Sequence, residues 1–438
     1  MASNPLAQAR GKRNDPAIVW HKRTGAGYRL FVEYYASQPT GVVVQDTTPV
    51  ESTKQPLTAQ QGKGLSRAAK RRKRKRGVAE VSSELPPEEQ AAQVSHPLLH
   101  TDVPNSSHLI PLLECLARPL PMTLRFRLSS DTKADRKELP DLFRCLPFGR
   151  RKIYQAAFPK AQLPAPWKEW VQERSQSGIL ARQEIGSMLP VLLLEYNHLL
   201  RPGQSVLDTC ASPGSKTMQA AEVAGMVTAN DVLESRLDAL KEAVERSGAP
   251  LSVQYTCHDA TRYPSSRSWD VVLCDVPCSG DGTTRKDKHV LPLWSPHQGH
   301  SLHGTQLGIL KRALKNVKVG GVVCYSTCSL NPVEDEAVVA AALCDGIQLV
   351  KFDVPDGLIL RDGVNTWKVA DYLGPDDDEV ARLTWYDSYE QAKQAGMKDV
   401  VPSLWPSRSD APLERCKRLV PHDQDTGGFF VAILKRTH

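Results

Sequence analysis

No run among the 438 residues comes near the roughly 18–20 uninterrupted apolar positions that a membrane-crossing helix needs. The first residues also lack the short apolar core of a secretory signal, so an intracellular protein without membrane contact is expected. Ten cysteines are scattered through a long chain rather than grouped as a disulfide framework, which fits a reducing compartment and leaves thiols free for chemistry. No internal repeat is present. The dinucleotide fingerprint Gly-x-Gly-x-x-Gly is absent. The nearest approach to a phosphate loop fails as well, because Ser215 separates Gly214 from Lys216 and no glycine stands at the required upstream position. Neither NAD nor ATP is therefore favoured.

What is there is a mix of 40% hydrophobic and 24% charged residues, long enough for one large domain and a smaller appendage. The net charge of +7 suits an anionic partner. Much of it sits in SRAAKRRKRKR, residues 66–76, a run that reads as a nuclear-import signal, a phosphate-tracking arm or a solvated linker. A second basic stretch, Ala9 to Arg13, allows an organelle-targeting reading, but no amphipathic, acid-free segment continues from it. Four regions are expected: an N-terminal segment 1–39 with an amphipathic piece from Tyr28 that packs on the body; a disordered basic insertion 40–96; a small mixed domain 97–180; and a large domain 181–438. In the small domain, LIPLLECLA has helical spacing and MTLRFRL alternates like a strand. Its arginine-rich patch, Arg144 to Lys152, reads equally as a polyanion contact or a solvated face.

From Gln183 onward, strand-like runs (SVLDT, MVTAND, LSVQYT, WDVVLCD, GVVCYST) alternate with helical patterns at Ser215–Val223, Glu234–Arg246, His300–Val317 and Glu334–Leu343. That rhythm is α/β, a parallel sheet covered on both faces, and ligands in such sheets bind at the carboxyl ends of the strands. The unusual motifs fall there. The first strand runs into Asp208 and then Cys210, Ala211, Ser212, Pro213, Gly214, Ser215 and Lys216, a Pro-Gly turn opening a helix, whose N-terminus favours an anionic group. Asp231, Asp259 and Asp275 end or follow the next three strands. A single acid in such a place is commonly a cap, but three beside a Pro-Gly turn favour contacts to an adenosine.

Two cysteines close the pattern, Cys278 in VPCSGDGTTRK and Cys328 in STCSLNPVEDE, the latter before a helix expected to start near Pro332 or Val333. Two reachable thiols could open and close a covalent intermediate, and Arg285 and Lys286 stand close enough in sequence to favour a thiolate. Cys274 and Cys324 read as buried small residues. The equal spacings Cys274/Cys278 and Cys324/Cys328 also raise zinc, but residues four apart on an extended chain lie roughly 13 Å apart, so no metal-ligating set is expected.

These motifs resemble the Nop/Sun RNA cytosine-C5 methyltransferases, in particular their eukaryotic tRNA-methylating branch. The likeness runs from the Tyr28 segment and PMTLRFR through ARQEIGSMLP to TGGFFVAIL, and is most specific at CDVPCSGDGT and YSTCSLNPVEDEA. It implies a Rossmann-like core with a mostly parallel seven-stranded sheet, a small N-terminal RNA-binding domain, and S-adenosyl-L-methionine held by residues 210–216, Asp231, Asp259 and Asp275. It further implies Cys328 as the nucleophile that adds to cytosine C6, Cys278 as the group that releases it, Asp275 at the base edge, and Lys216 positioning base or cofactor. The expected partner is RNA, most readily tRNA, with ribosomal or messenger RNA as alternative substrates, and residence is expected to be nuclear, with the nucleolus as one site within it. A non-catalytic RNA-binding assembly factor is the rival of another class, and two intact thiols argue against it.

Overall fold

The computed structural model describes residues 26–39, 42–43, 96–101, 103, 106–128, 139, 142–149, 151–249, 251–265, 269–372, 382–406 and 410–438. Contacts divide the chain into residues 1–44 with 97–438 as one unit and residues 45–96 as another. The second unit, the basic run 66–76 and the stretch 9–13 lie outside the described residues, His96 excepted.

Helix α1 (Ala26–Ser37) buries Leu30, Phe31, Tyr34 and Tyr35 against Trp294 and is the amphipathic piece expected at Tyr28. Helix α2 (Ile110–Ala117) packs its leucines into the same cluster and stops ahead of Pro119 and Pro121, which cannot continue its ladder. A small antiparallel sheet follows, made of β1 (Pro121–Phe126), β2 (Phe143–Leu146), β3 (Ile153–Pro159) and β4 (Leu180–Arg182) in the order β2-β3-β1-β4. Met122, Leu124 and Phe126 face helix α3 (Ala165–Gln176), which contributes Val171 and two tryptophans. The other face of β1 is buried too, because Arg125 and Arg151 both grip Glu222, at 2.7 and 2.6 Å, with 1% of each side chain exposed. Within the patch expected to be solvated or polyanion-binding, Arg151 is thus an internal rivet; Glu222 lies beyond the small sheet and can stay ionised only because two guanidiniums meet it.

Helix α4 (Ile185–Tyr196), capped by the Glu184 side chain on the Ser187 amide, leads into the large sheet. Five parallel strands, β5 (Ser205–Asp208), β6 (Met226–Asn230), β7 (Val253–Thr256), β8 (Trp269–Asp275) and β9 (Val317–Thr327), lie in the order β7-β6-β5-β8-β9. Their connections carry α5 (Ser215–Ala221), α6 (Glu234–Arg246) and α7 (Pro296–Asn316); α8 (Glu336–Ala342) follows β9. The remaining strands are β10 (Ile347–Leu349), β11 (Arg361–Asp362), β12 (Val369–Asp371), β13 (Thr384–Tyr386), β14 (Lys417–Leu419) and β15 (Phe429–Arg436). Strand β15 runs antiparallel beside β9, and β10 pairs with its far end. Those seven strands make the mostly parallel sheet that was expected. The short β14 and β11 extend it to nine, sharing the free edge of β15 with β10, an addition too brief to show in the hydrophobic pattern.

Alternation along the central strands sends side chains to two cores. Val272, Cys274, Val323 and Tyr325 pack on one side of the sheet, Val271, Leu273, Val322 and Cys324 on the other. Cys274 and Cys324 are fully buried, as expected, but belong to opposite faces, so they do not converge with Cys278 and Cys328 on one ion.

Candidate active site

The sheet order reverses direction of travel between β5 and β8, and a cleft opens at their carboxyl ends, where a doubly wound sheet leaves a crevice. Its walls include Asp208, residues 210–213, Ser215, Lys216, Asp275, Cys328, Arg285 and Phe429. On one side, the turn after β5 carries the expected loop. Gly214 adopts φ +102°, and a Cβ there would come within 2.1 Å of Leu240, so both the backbone and α6 require glycine. Cys210, partly buried against the core, has its thiol pushed well up by burial and takes no obvious part in ionic chemistry.

Asp208, at the end of β5, is 1% exposed and receives the Thr217 hydroxyl at 2.7 Å on Oδ2, while Oδ1 has no hydrogen-bond partner among the described residues. Burial pushes its pKa up to about 7. An orphaned carboxyl oxygen on a cleft wall fits a cationic ligand group. The sequence names Asp208 only as a strand end; its burial and its unmet oxygen arise from packing. Asp231 and Asp259 stand where expected along the rim yet line no part of the cleft. The Asp231 carboxylate is buried and accepts from the Ser212 and Leu233 amides, with Arg236 at 3.4 Å. Asp259 caps a short turn through Thr261, the bland role that such an acid commonly has.

The opposite side of the cleft holds Cys328, while Cys278 packs against it without lining the cleft. Cys278 and Cys328 come from the ends of β8 and β9, and their sulfurs are 3.2 Å apart. A hydrogen bond to Cys328, together with burial, holds the Cys278 thiol well above its ordinary pKa, so Cys278 stays protonated. Beside them Asp275 accepts from Lys216 at 2.7 Å and from the Ser326 hydroxyl at 2.8 Å. Burial disfavours the Lys216 ammonium, but Asp275, with Cys328 adding to it, outweighs this and raises its pKa. Lys216 also lies 5.0 Å above the Phe429 ring.

Both thiol loops are fastened from beneath. Glu334, wholly buried, accepts from the Ser279 amide at 2.8 Å, the Ser329 hydroxyl at 2.8 Å and Gln306 at 3.0 Å. Asp281 accepts the Leu330 amide at 2.7 Å and the Tyr35 hydroxyl at 2.5 Å, which ties α1 to the site. Asp335 and Glu336 are equally buried and meet Arg418. The helix expected near Pro332 begins only at Glu336, because Glu334 and Asp335 are spent on these turns. Gly282 and Gly428 exchange backbone contact at 2.7 Å, and a Cβ on Gly428 would lie 2.8 Å from the Gly282 Cα. The TGGFF segment therefore meets the Gly282 loop without side chains at their closest approach. Of the buried groups in this support, Tyr35 and Arg418 carry no local sequence signal.

The strand order and the crevice define the methyltransferase form of the doubly wound fold. A family model described as 16S rRNA methyltransferase RsmB/F matches residues 197–435, more than half of the chain, and the protein belongs to that family. It is 36% identical over 291 residues to a tRNA (cytosine(34)-C(5))-methyltransferase of Drosophila melanogaster, covering 59% of this chain and 37% of that one. It is 38% identical over 288 residues to a multisite-specific tRNA:(cytosine-C(5))-methyltransferase of Saccharomyces cerevisiae, covering 59% and 39%. The chain thus spans about two fifths of the length of these relatives. Among solved structures it is similar in fold to NSun6 from Pyrococcus horikoshii with SFG, at 17% identity and a TM-score of 0.52, covering 76% of this chain and 95% of that one.

Proposed function

We propose that the protein is an S-adenosylmethionine-dependent RNA cytosine-C5 methyltransferase that forms 5-methylcytosine in tRNA through a covalent Cys328–C6 adduct. One observation carries the reading: Cys328, on the wall of a cleft whose other side is the loop after β5, has the Cys278 sulfur 3.2 Å away. The relatives named for tRNA cytosine-C5 methylation support the substrate, and a fold relative solved with SFG, an S-adenosylmethionine analogue, supports the cofactor.

Cytosine C5 is a poor nucleophile until a group adds at C6, and a thiolate does this well. Cys328 attacks, while Asp275, held by Lys216 and Ser326, stands at the base edge as an acceptor for the cytosine amino group, and the Lys216 ammonium offsets the negative charge that the thiolate brings to the ring. When bound, S-adenosylmethionine supplies an electrophilic methyl group on its sulfonium. Asp208, Asp275 and the 210–216 loop, which Asp231 braces through the Ser212 amide, are the residues that would hold it, with the unmet Asp208 Oδ1 suited to its cationic part. Once Cys328 is bonded to carbon, its hydrogen bond to Cys278, the chief influence holding that thiol protonated, is lost. Cys278 passes its proton to solvent and, as a thiolate, takes the C5 proton while the C6–S bond breaks and Cys328 leaves as a thiolate. A paired target base must first swing out of its stack.

Replacing Cys328 by alanine should lower methyl transfer by at least about a thousandfold with RNA binding retained, and normal turnover would refute the nucleophile. Cys278→Ala should accumulate a protein–RNA adduct that survives denaturing gels, and absence of that adduct would refute the division of labour. The family description favours ribosomal RNA as the second substrate reading. Bisulfite sequencing of both RNA classes from cells with and without the protein separates the two. Nuclear residence is our reading of the basic run 66–76. Deleting those residues should shift the protein to the cytoplasm, and unchanged residence would remove that role.

A further inference from the structure

Away from the cleft, the first turn of α7 presents His297 and His300 towards Asp371, which ends β12. One ligand-capable atom from each lies within 4.8 Å of the others. The His300 side chain is fully buried, and neither Nδ1 nor Nε2 has a hydrogen-bond partner among the described residues. A neutral imidazole with both ring nitrogens unmet is unusual in a core, since each would ordinarily find a donor or an acceptor.

Asp371 is itself 3% exposed and points one oxygen at each histidine, Oδ1 to His300 Nδ1 at 3.9 Å and Oδ2 to His297 Nδ1 at 3.8 Å. Ligand atoms around a tetrahedral zinc, with bonds of about 2.0–2.1 Å, lie about 3.3 Å apart, so small rotations close the set. The other nitrogen of His297 faces Asp399 at 3.7 Å, the carboxylate–histidine arrangement that orients a metal-bound imidazole. Among the described residues this is the sole group of three or more such side chains that converges.

We propose that His297, His300 and Asp371 form a binding site for a zinc-type divalent transition-metal ion, with solvent in the fourth position. The ion clips β12 to α7, two turns before Gln306, which holds Pro277 and Glu334 beneath the thiols. The proposal does not depend on the methylation reading, because its readout is metal content.

The test is zinc titration of the chelator-treated full chain, read by elemental analysis after desalting and by thermal unfolding, with Co²⁺ absorption reporting coordination. About one equivalent of zinc should be retained, and the unfolding temperature should rise with zinc. His297→Ala, at a side chain 38% exposed and thus unlikely to disturb folding, should weaken binding at least tenfold and remove the thermal shift. Asp371→Asn should do the same, and Cys278→Ala should leave binding intact. Failure of the wild type to retain zinc, or unchanged binding in His297→Ala, overturns the site; loss of binding in Cys278→Ala would place the metal on the thiols instead.

Discussion

At the thiol end of the cleft, Asp281, Glu334, Asp335 and Glu336 are all buried and all engaged, and they fix the backbone on either side of Cys278 and Cys328. The end formed by the 210–216 loop is held by a glycine turn and by Asp208, whose one oxygen is left unmet. The contrast follows from what each end must do. On the proposed mechanism an attacking and a releasing sulfur lose rate steeply when displaced by an ångström, which accounts for loops so heavily tied. A bound small molecule can itself complete the polar contacts of the other end, which need not be satisfied beforehand.

The two ends should therefore answer mutation with opposite signs. Arg418→Met leaves Asp335 and Glu336 buried without their cation and should cost about 3–5 kcal/mol, read as a lower urea midpoint. A loss within error of zero would break the contrast at its strongest point. Asp208 should behave in the other sense. Its folded pKa, about 7, lies above its ordinary value of 3.8, so its contribution is complete below about pH 4 and is lost as pH rises through about 7. That swing is on the order of 4 kcal/mol if the shift is fully expressed. Asp208→Asn should flatten unfolding free energy against pH across that window and be more stable than the parent above it, while binding S-adenosylmethionine more weakly. A variant with the parent's pH slope would show that Asp208 is not the titrating group. The smallest effect is expected for Tyr35→Phe, which deprives Asp281 of one donor and should cost about 1–2 kcal/mol by thermal unfolding. A larger fall in kcat than in substrate affinity would sharpen the view that α1 serves the thiol loops.

Much of this was legible before any coordinate. Helix α6 has the bounds its pattern implies, the parallel strands end at or shortly before the expected acids, and the two specific cysteines lie side by side. The pattern misled where a residue's partner is remote. Arg151 is riveted to a glutamate 71 positions away rather than offered to a polyanion. Helix α7 begins at Pro296 rather than His300, because Pro at a first helical position needs no amide partner and lets polar residues occupy the opening turn. Those polar residues include the two histidines that meet Asp371.

By itself the sequence determined the α/β rhythm, the glycine at position 214 and the presence of two thiols at strand ends, because hydrophobic period and backbone restriction act over a few residues. Only the tertiary structure decided that the thiols lie 3.2 Å apart, that Asp208 is left with an empty oxygen, and that four carboxylates are buried beneath the site. Burial and pairing at such distances depend on which strands become neighbours, and a side chain's ionisation follows from that neighbourhood rather than from its position in the chain.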